Sequence, residues 1–169
     1  MSADETKRKA VAGGDLRTNE KKWSKELMDA GWTVFPTVII ENQKQLGLDP
    51  LDVNILLHLA SRWWTAAGKP YPSKGSIANA VGREPRTVQR RVARMEAAGY
   101  VHREQRRATP TGSKPNIYHL EGLIEAAKPF AEEKLAEIAA KAAAAKAKAE
   151  RKGAPKKKPL FKVVRGDKD

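Results

Sequence analysis

Within one short stretch the chain sets Arg83, Arg86, Thr87, Gln89, Arg90 and Arg94 around the apolar residues Val88, Val92 and Met95. At about 100° per residue, Val92 and Met95 fall within about 40° of Val88 and define a buried helical stripe. Arg86, Arg90 and Ala93 then lie opposite, flanked by Gln89 and Arg94. That face has a definite chemistry. An arginine fork can donate to guanine O6 and N7, a glutamine amide can pair with adenine N6 and N7, and a small alanine permits close approach to a base edge. Further on, Arg103, Arg106, Arg107 and Lys114 surround a polar turn and only Glu104 opposes them, a composition suited to gripping phosphates or reaching a minor groove. Ser73, Lys74 and Ser76 supply donors where another helix should start, close to the positive end of its dipole, and are expected to touch phosphate backbone only.

Other chemistries find little support. With no cysteine there is no thiolate nucleophile, disulfide or thiolate zinc site, and His58, His102 and His119 are too scattered for a ligand set. The Glu132-Glu133 pair sits near Lys128 and Lys134, where solvation and helical ion pairing account for it. No phosphate-cradling glycine loop, metal motif or nucleophile elbow occurs, so the expectation is a protein that is not an enzyme and needs no cofactor or metal.

The composition points the same way. Among 169 residues, 33 lysines and arginines face 20 acidic residues for a net charge of +13, which favours a polyanionic partner. Residues 141–169 hold 11 basic and 3 acidic groups, so +8 of the surplus belongs to the C-terminal end. No apolar run approaches the roughly 18 residues of a membrane span, and the charged start lacks the core of a signal peptide. A soluble, cytoplasmic, nucleoid-associated protein with no membrane partner is expected.

The elements that must position these side chains are legible from caps and breakers. Residues 1–22 lack aromatics and read as a disordered arm. A short helix from Trp23 to Gly31 would put Trp23, Leu27 and Met28 on one side. Trp32 to Phe35 competes as a strand with Thr37 to Leu46 as a helix. Asp49-Pro50 is an N-cap with proline in the first turn, and Val53, Leu56, Leu57, Ala60 and Trp64 recur at helical spacing to about Ala67. On that pattern Trp63 and Trp64 serve as core and flank. Gly68-Lys69-Pro70 breaks the helix. Ser73 opens a second one, carrying Ile77, Ala78 and Val81 to Gly82, and Glu84-Pro85 opens a third that ends at Gly99. Strands over Tyr100 to Arg106 and Asn116 to Leu120 flank the breakers Thr109 to Ser113. Residues 121–152 read as an Ala/Lys-rich helical extension with Pro129 inside it, and 153–169 as a basic disordered tail.

From Tyr71-Pro72-Ser73-Lys74-Gly75-Ser76-Ile77-Ala78-Asn79-Ala80-Val81-Gly82 through Arg86-Thr87-Val88-Gln89-Arg90-Arg91-Val92 to Glu96-Ala97-Ala98-Gly99-Tyr100-Val101, the chain resembles the winged helix-turn-helix domains of phage and plasmid regulators and replication proteins. Arg83 and Glu84 depart from that pattern, which has an apolar residue and a serine there, and Glu84 is expected to pair with Arg83 or Arg86, with acceptance from cytosine N4 as the alternative. The resemblance implies a mainly α fold with a small β-hairpin wing over residues 23–120. It also implies sequence-specific binding of double-stranded DNA, by a transcriptional regulator of a phage, plasmid or bacterial genome. A replication initiator or accessory factor is one alternative, and a nonspecific nucleic-acid-associated structural protein is another. Leu123, Ile124, Ala127, Leu135, Ile138 and Ala142 give the extension an apolar side that leaves monomer and homodimer open, while Leu160 to Val164 could dock on a protein partner as a strand.

Because the tail holds +8 without a regular array of base-reading side chains, it should act through counterion release. Deleting residues 141–169 is expected to flatten the salt dependence of DNA binding while leaving the ranking of DNA sequences unchanged; a changed ranking would show that the tail reads bases.

Overall fold

The computed structural model describes residues 13–65, 67–106 and 114–153. Nine elements follow in order among them: α1 (Gly13–Trp23), α2 (Lys25–Ala30), α3 (Thr37–Glu41), α4 (Pro50–Ala60), α5 (Lys74–Val81), α6 (Pro85–Ala97), β1 (His102–Glu104), β2 (Ile117–His119) and α7 (Glu121–Gly153). Two compact units divide at Pro129. No helix of the described residues is long and apolar enough to cross a membrane.

Local signals account for the central helices. Asp49 caps α4 by accepting from the Leu51 and Asp52 backbone N–H groups at 2.9 and 3.1 Å, and the Asp52 carboxylate accepts from the Asp49 N–H in return. Val53, Ile55, Leu56 and Leu59 of α4 are buried. Ser73 caps α5 by accepting from the Ser76 N–H at 3.0 Å, and Gly82 closes it at φ 63°, a left-handed conformation that glycine adopts without strain. Pro85 occupies the first turn of α6, whose Val88, Val92 and Met95 are all buried, as the wheel predicts. Against α6 pack both α4 and α5.

β1 and β2 pair antiparallel with His102 opposite His119, Arg103 opposite Tyr118 and Glu104 opposite Ile117. Both strands are shorter than expected. The Tyr118 N–H donates to the Pro70 carbonyl at 2.9 Å, tying the hairpin to the segment that enters α5. Burial continues beyond Leu120 to Leu123 and Ala127, so the first turns of α7 belong to the core of the first unit. The Leu123 N–H donates to the Tyr100 carbonyl at 3.0 Å.

Several expectations need correction. α4 ends at Ala60 and not near Ala67: the Ser61 hydroxyl donates to the His58 carbonyl, and Arg62 and Trp63 close tight i to i+3 turns that stop the helix. Trp63 is therefore half-buried beyond the helix, with Lys69 over its ring at 5.6 Å, and Trp64 is exposed. Between the competing strand and helix near residue 36, the structure has α3, but only to Glu41, after which turns lead to Gly47. Consecutive β-branched residues propagate a helix poorly, and Ile39, Leu46 and Leu48 anchor this segment through burial instead. The segment from Trp23 to Gly31 breaks at Ser24, with φ 77°, and none of α2 is buried. Where a disordered arm was expected, residues 13–22 lie in α1; residues 1–12 and 154–169, including Leu160 to Val164, fall outside the described residues.

One interaction couples α4 to α6. Arg91 Nη1 donates to the Asp49 carboxylate and lies 3.7 Å from that of Asp52, which is fully buried. Burial pushes the Asp49 carboxyl up, but the Asp52 and Leu51 N–H groups and the Arg91 guanidinium outweigh it and hold Asp49 below the usual carboxylate range. Arg91→Ala is expected to cost roughly 1.5–3 kcal/mol at pH 7, the worth of hydrogen bonds to charged groups. A carboxyl with a depressed folded pKa contributes stability above its unfolded value and loses it as pH falls through the folded value. The gap between wild type and variant in urea melts should therefore narrow below about pH 4; a gap independent of pH would place the effect in packing.

Gly122 is the second constraint. A Cβ there would lie 1.8 Å from the Gly99 carbonyl oxygen, a backbone atom that cannot swing aside. Gly122→Ala should therefore push α7 off the end of α6 and cost about 1–3 kcal/mol, the usual range for overpacking. A thermal melt unchanged from wild type would mean that this approach is looser than described.

Candidate nucleic-acid interface

The candidate side chains divide by whether the fold already uses them. Arg83, Arg86 and Arg90 are exposed and have no ion pair or side-chain hydrogen bond among the described residues. All three belong to one short stretch: Arg83 lies in the turn between α5 and α6, and Arg86 and Arg90 on the face of α6 opposite Val88 and Val92. Thr87 is half-buried beside Arg83 and Arg90. Glu84 is the N-cap residue of α6, but its side chain makes no cap hydrogen bond and, among the described residues, no ion pair with Arg83 or Arg86, contrary to the expectation.

Two candidates are committed inside the molecule. Arg94 Nη2 donates to the Gly47 carbonyl at 2.7 Å, and its Nη1 lies 3.8 Å from Asp49. Arg103 donates to Glu96 at 3.1 Å, and its backbone N–H donates to the same carboxylate. Both arginines brace α6, one toward the turn before α4 and one toward the hairpin. Sequence position could not reveal this, because Gly47 is 47 residues from Arg94.

On the hairpin side of α6 lies an open groove of about 470 Å³. Val88, Val92 and Tyr118 form its apolar floor, and Lys74, Gln89, Arg103, Arg106 and Lys114 stand along it. Burial pushes the Tyr118 phenol up from its ordinary value. Among the described residues, no carboxylate lines this groove. Arg106 is half-buried with its guanidinium 5.0 Å above the Tyr71 ring, a cation–π contact that orients it. Lys114 is exposed, and Arg107 lies outside the described residues. At the N-terminus of α5 the Ser73 and Ser76 hydroxyls serve the cap, Ser76 donating to the Ser73 carbonyl at 2.9 Å, while Lys74 reaches across to Gln89.

Sequence reasoning missed two participants. Arg91 sits about 60° from Val88 on the helical wheel, near enough to the buried stripe to suggest an internal role, but nothing local identifies Asp49 as its partner. Tyr71 immediately precedes the Pro72-Ser73 helix start, yet its contact with Arg106 depends on the hairpin folding back. Among the histidines, His119 lies 3.0 Å from Glu104, and no group of three or more metal-capable side chains occurs among the described residues.

The arrangement can accept a polyanion: among the described residues, one face of a short helix carries unpaired arginine forks, and the groove beside it is positive and free of acids. Residues 46–101 match the family described as a helix-turn-helix domain. No curated protein matches the chain in sequence. Among solved structures, the YusO protein from Bacillus subtilis is 15% identical, over 83% of this chain and 99% of its own, with a TM-score of 0.36. The transcriptional regulator PA3341 is 22% identical over 75% and 80%, with a TM-score of 0.35. RV1404 from Mycobacterium tuberculosis is 17% identical over 88% and 100%, with a TM-score of 0.36. The two capped helices joined at Gly82, the third helix before them and the antiparallel hairpin after them establish that this chain contains a winged helix-turn-helix domain, with residues 46–101 as its helix-turn-helix segment.

Proposed function

We propose that the protein binds double-stranded DNA in a sequence-specific way and acts as a transcriptional regulator by occupying its site, without catalysis. The observation that carries this reading is the acid-free groove between α6 and the hairpin, beside the unpaired arginines of α6. Among the described residues Arg86 and Arg90 have no partner to lose, so engaging a base or phosphate breaks none of the contacts described there. Their backbone is held by Arg91 and Arg94 on one flank and by Arg103 on the other. A fork held on a braced helix can make bidentate contacts, which need positioning to within a fraction of an ångström. In this reading α6 enters the major groove and reads bases through Arg90, Arg86 and Gln89, while Lys114, Arg106 and Arg107 hold phosphates. Ser73, Lys74 and Ser76 approach the backbone from the N-terminus of α5. Arg94 and Arg103 act by positioning α6. The protein works in the cytoplasm on the nucleoid, with its operator on the phage, plasmid or bacterial genome that encodes it.

Selection of binding sites from random duplexes tests this directly. One enriched motif, located at a promoter, is the expected result; no enrichment overturns the reading, and enrichment at an origin assigns the same domain to replication. Arg90→Ala is expected to weaken the preferred site by about 1–3 kcal/mol, far less on unrelated DNA, and to relax one base position. Arg106→Ala should weaken both kinds of DNA by similar factors. Reversed behaviour of the two variants would make the hairpin the reader.

A further inference from the structure

One contact on this surface determines which base edge a glutamine can read. Lys74 Nζ donates to Gln89 Oε1 at 3.0 Å, linking the first turn of α5 to α6. An ammonium group has donors only, so the face of the amide toward it must be the carbonyl, and Nε2 points away. Among the described residues Lys74 has no ion pair, and the groove that both residues line has no carboxylate to draw the ammonium elsewhere. Both side chains are exposed, so the pair stands at the surface where a duplex would arrive.

A free glutamine recognises adenine with both ends of its amide, accepting from N6 and donating to N7. Here the accepting end is occupied. The second lone pair of Oε1 does not restore the adenine pattern, because an N6 amino group brought to it would lie beside the ammonium, donor against donor. What Lys74 and Gln89 present together is a row of donors: the Nε2 hydrogens and the two remaining ammonium hydrogens. The major-groove edge that answers such a row is guanine, which offers N7 and O6 as adjacent acceptors.

We propose that Lys74 is a specificity-determining residue that converts Gln89 from a reader of adenine into a reader of guanine. This rests on α6 being the major-groove helix, and it goes beyond that reading by assigning one base to one pair of side chains. Lys74 thereby has a role in base choice that its position at a helix N-terminus, next to the phosphates, does not suggest.

The test is site selection from random duplexes with the 169-residue chain, Lys74→Met and Gln89→Ala, with circular dichroism to confirm that each exposed substitution leaves the fold intact. Wild type should select guanine at the position that Gln89→Ala makes degenerate. Lys74→Met, which removes the donor and keeps the length, should select adenine at that same position, with the guanine-to-adenine ratio falling about tenfold or more. Loss of charge alone would weaken all sequences equally and leave that ratio unchanged. A motif that Lys74→Met does not alter, or a loss of guanine without a gain of adenine, overturns the proposal and leaves DNA binding standing. A wild-type protein that enriches no motif overturns the DNA reading and this proposal together.

Discussion

The ion pair between Arg91 and Asp49 connects two parts of the chain 42 residues apart, and the orientation of α6 depends on it. Asp49 has two tasks. Its carboxylate caps α4 by accepting from Leu51 and Asp52, and the same group receives Arg91 from α6. Asp52, buried to the last ångström of its surface, has one oxygen on the Asp49 N–H and the other without a protein partner, so the Arg91 guanidinium at 3.7 Å supplies the nearest compensating charge. A buried carboxylate far from any cation would be costly. The local start signal of one helix and the tertiary placement of another are thus the same cluster of atoms.

From this follows a division among the arginines of one helix. Arg91 and Arg94 turn toward Asp49 and Gly47 and are spent on the fold, and Glu96 at the other end of α6 takes Arg103 from β1. Arg86 and Arg90, on the remaining face, have no such partner among the described residues. A helix with every arginine free would be more basic but less well held. Here part of the positive charge is neutralised inside the molecule, and in exchange the rest is presented from a backbone braced on both flanks. Residues 141–169 contribute charge of another kind, +8 of the surplus, which can raise encounter rates with a polyanion.

The hairpin and the last helix complete the frame. Tyr100 donates its hydroxyl to the Leu46 carbonyl at 2.8 Å and accepts the Leu123 N–H on its own carbonyl at 3.0 Å, so one residue after α6 joins the segment before α4 to the start of α7. Gly122 makes this possible by lacking a Cβ where the Gly99 carbonyl passes. Leu123 and Ala127 are buried, as are Val101, Tyr118 and Leu120. Any change in how the first turns of α7 are held would reach the end of α6 through these backbone contacts.

By itself the sequence determined the elements whose causes are local: the caps at Asp49 and Ser73, the left-handed stop at Gly82, the proline start of α6 and the buried stripe of Val88, Val92 and Met95. Each depends on side chains within a few residues of the backbone groups they serve, so a reading by spacing finds them. The resemblance to winged helix-turn-helix domains rested on the motif residues that these elements carry, from Tyr71 to Val101, which lie within the matched residues 46–101. The early end of α4, the break at Ser24 and the fate of Trp63 and Trp64 were decided by tertiary structure, since helical spacing persists in sequence even where tight turns close the chain off. The same holds for individual arginines. A helical wheel puts both Arg86 and Arg94 away from the buried stripe, and only the arrival of Gly47 and Asp49 from α4's entry loop makes Arg94 a brace. Partners brought from 15 to 54 residues away, Lys74 on Gln89 and Tyr100 on Leu46 among them, have no signature in spacing because hydrogen bonds across elements obey distance in space and not in sequence.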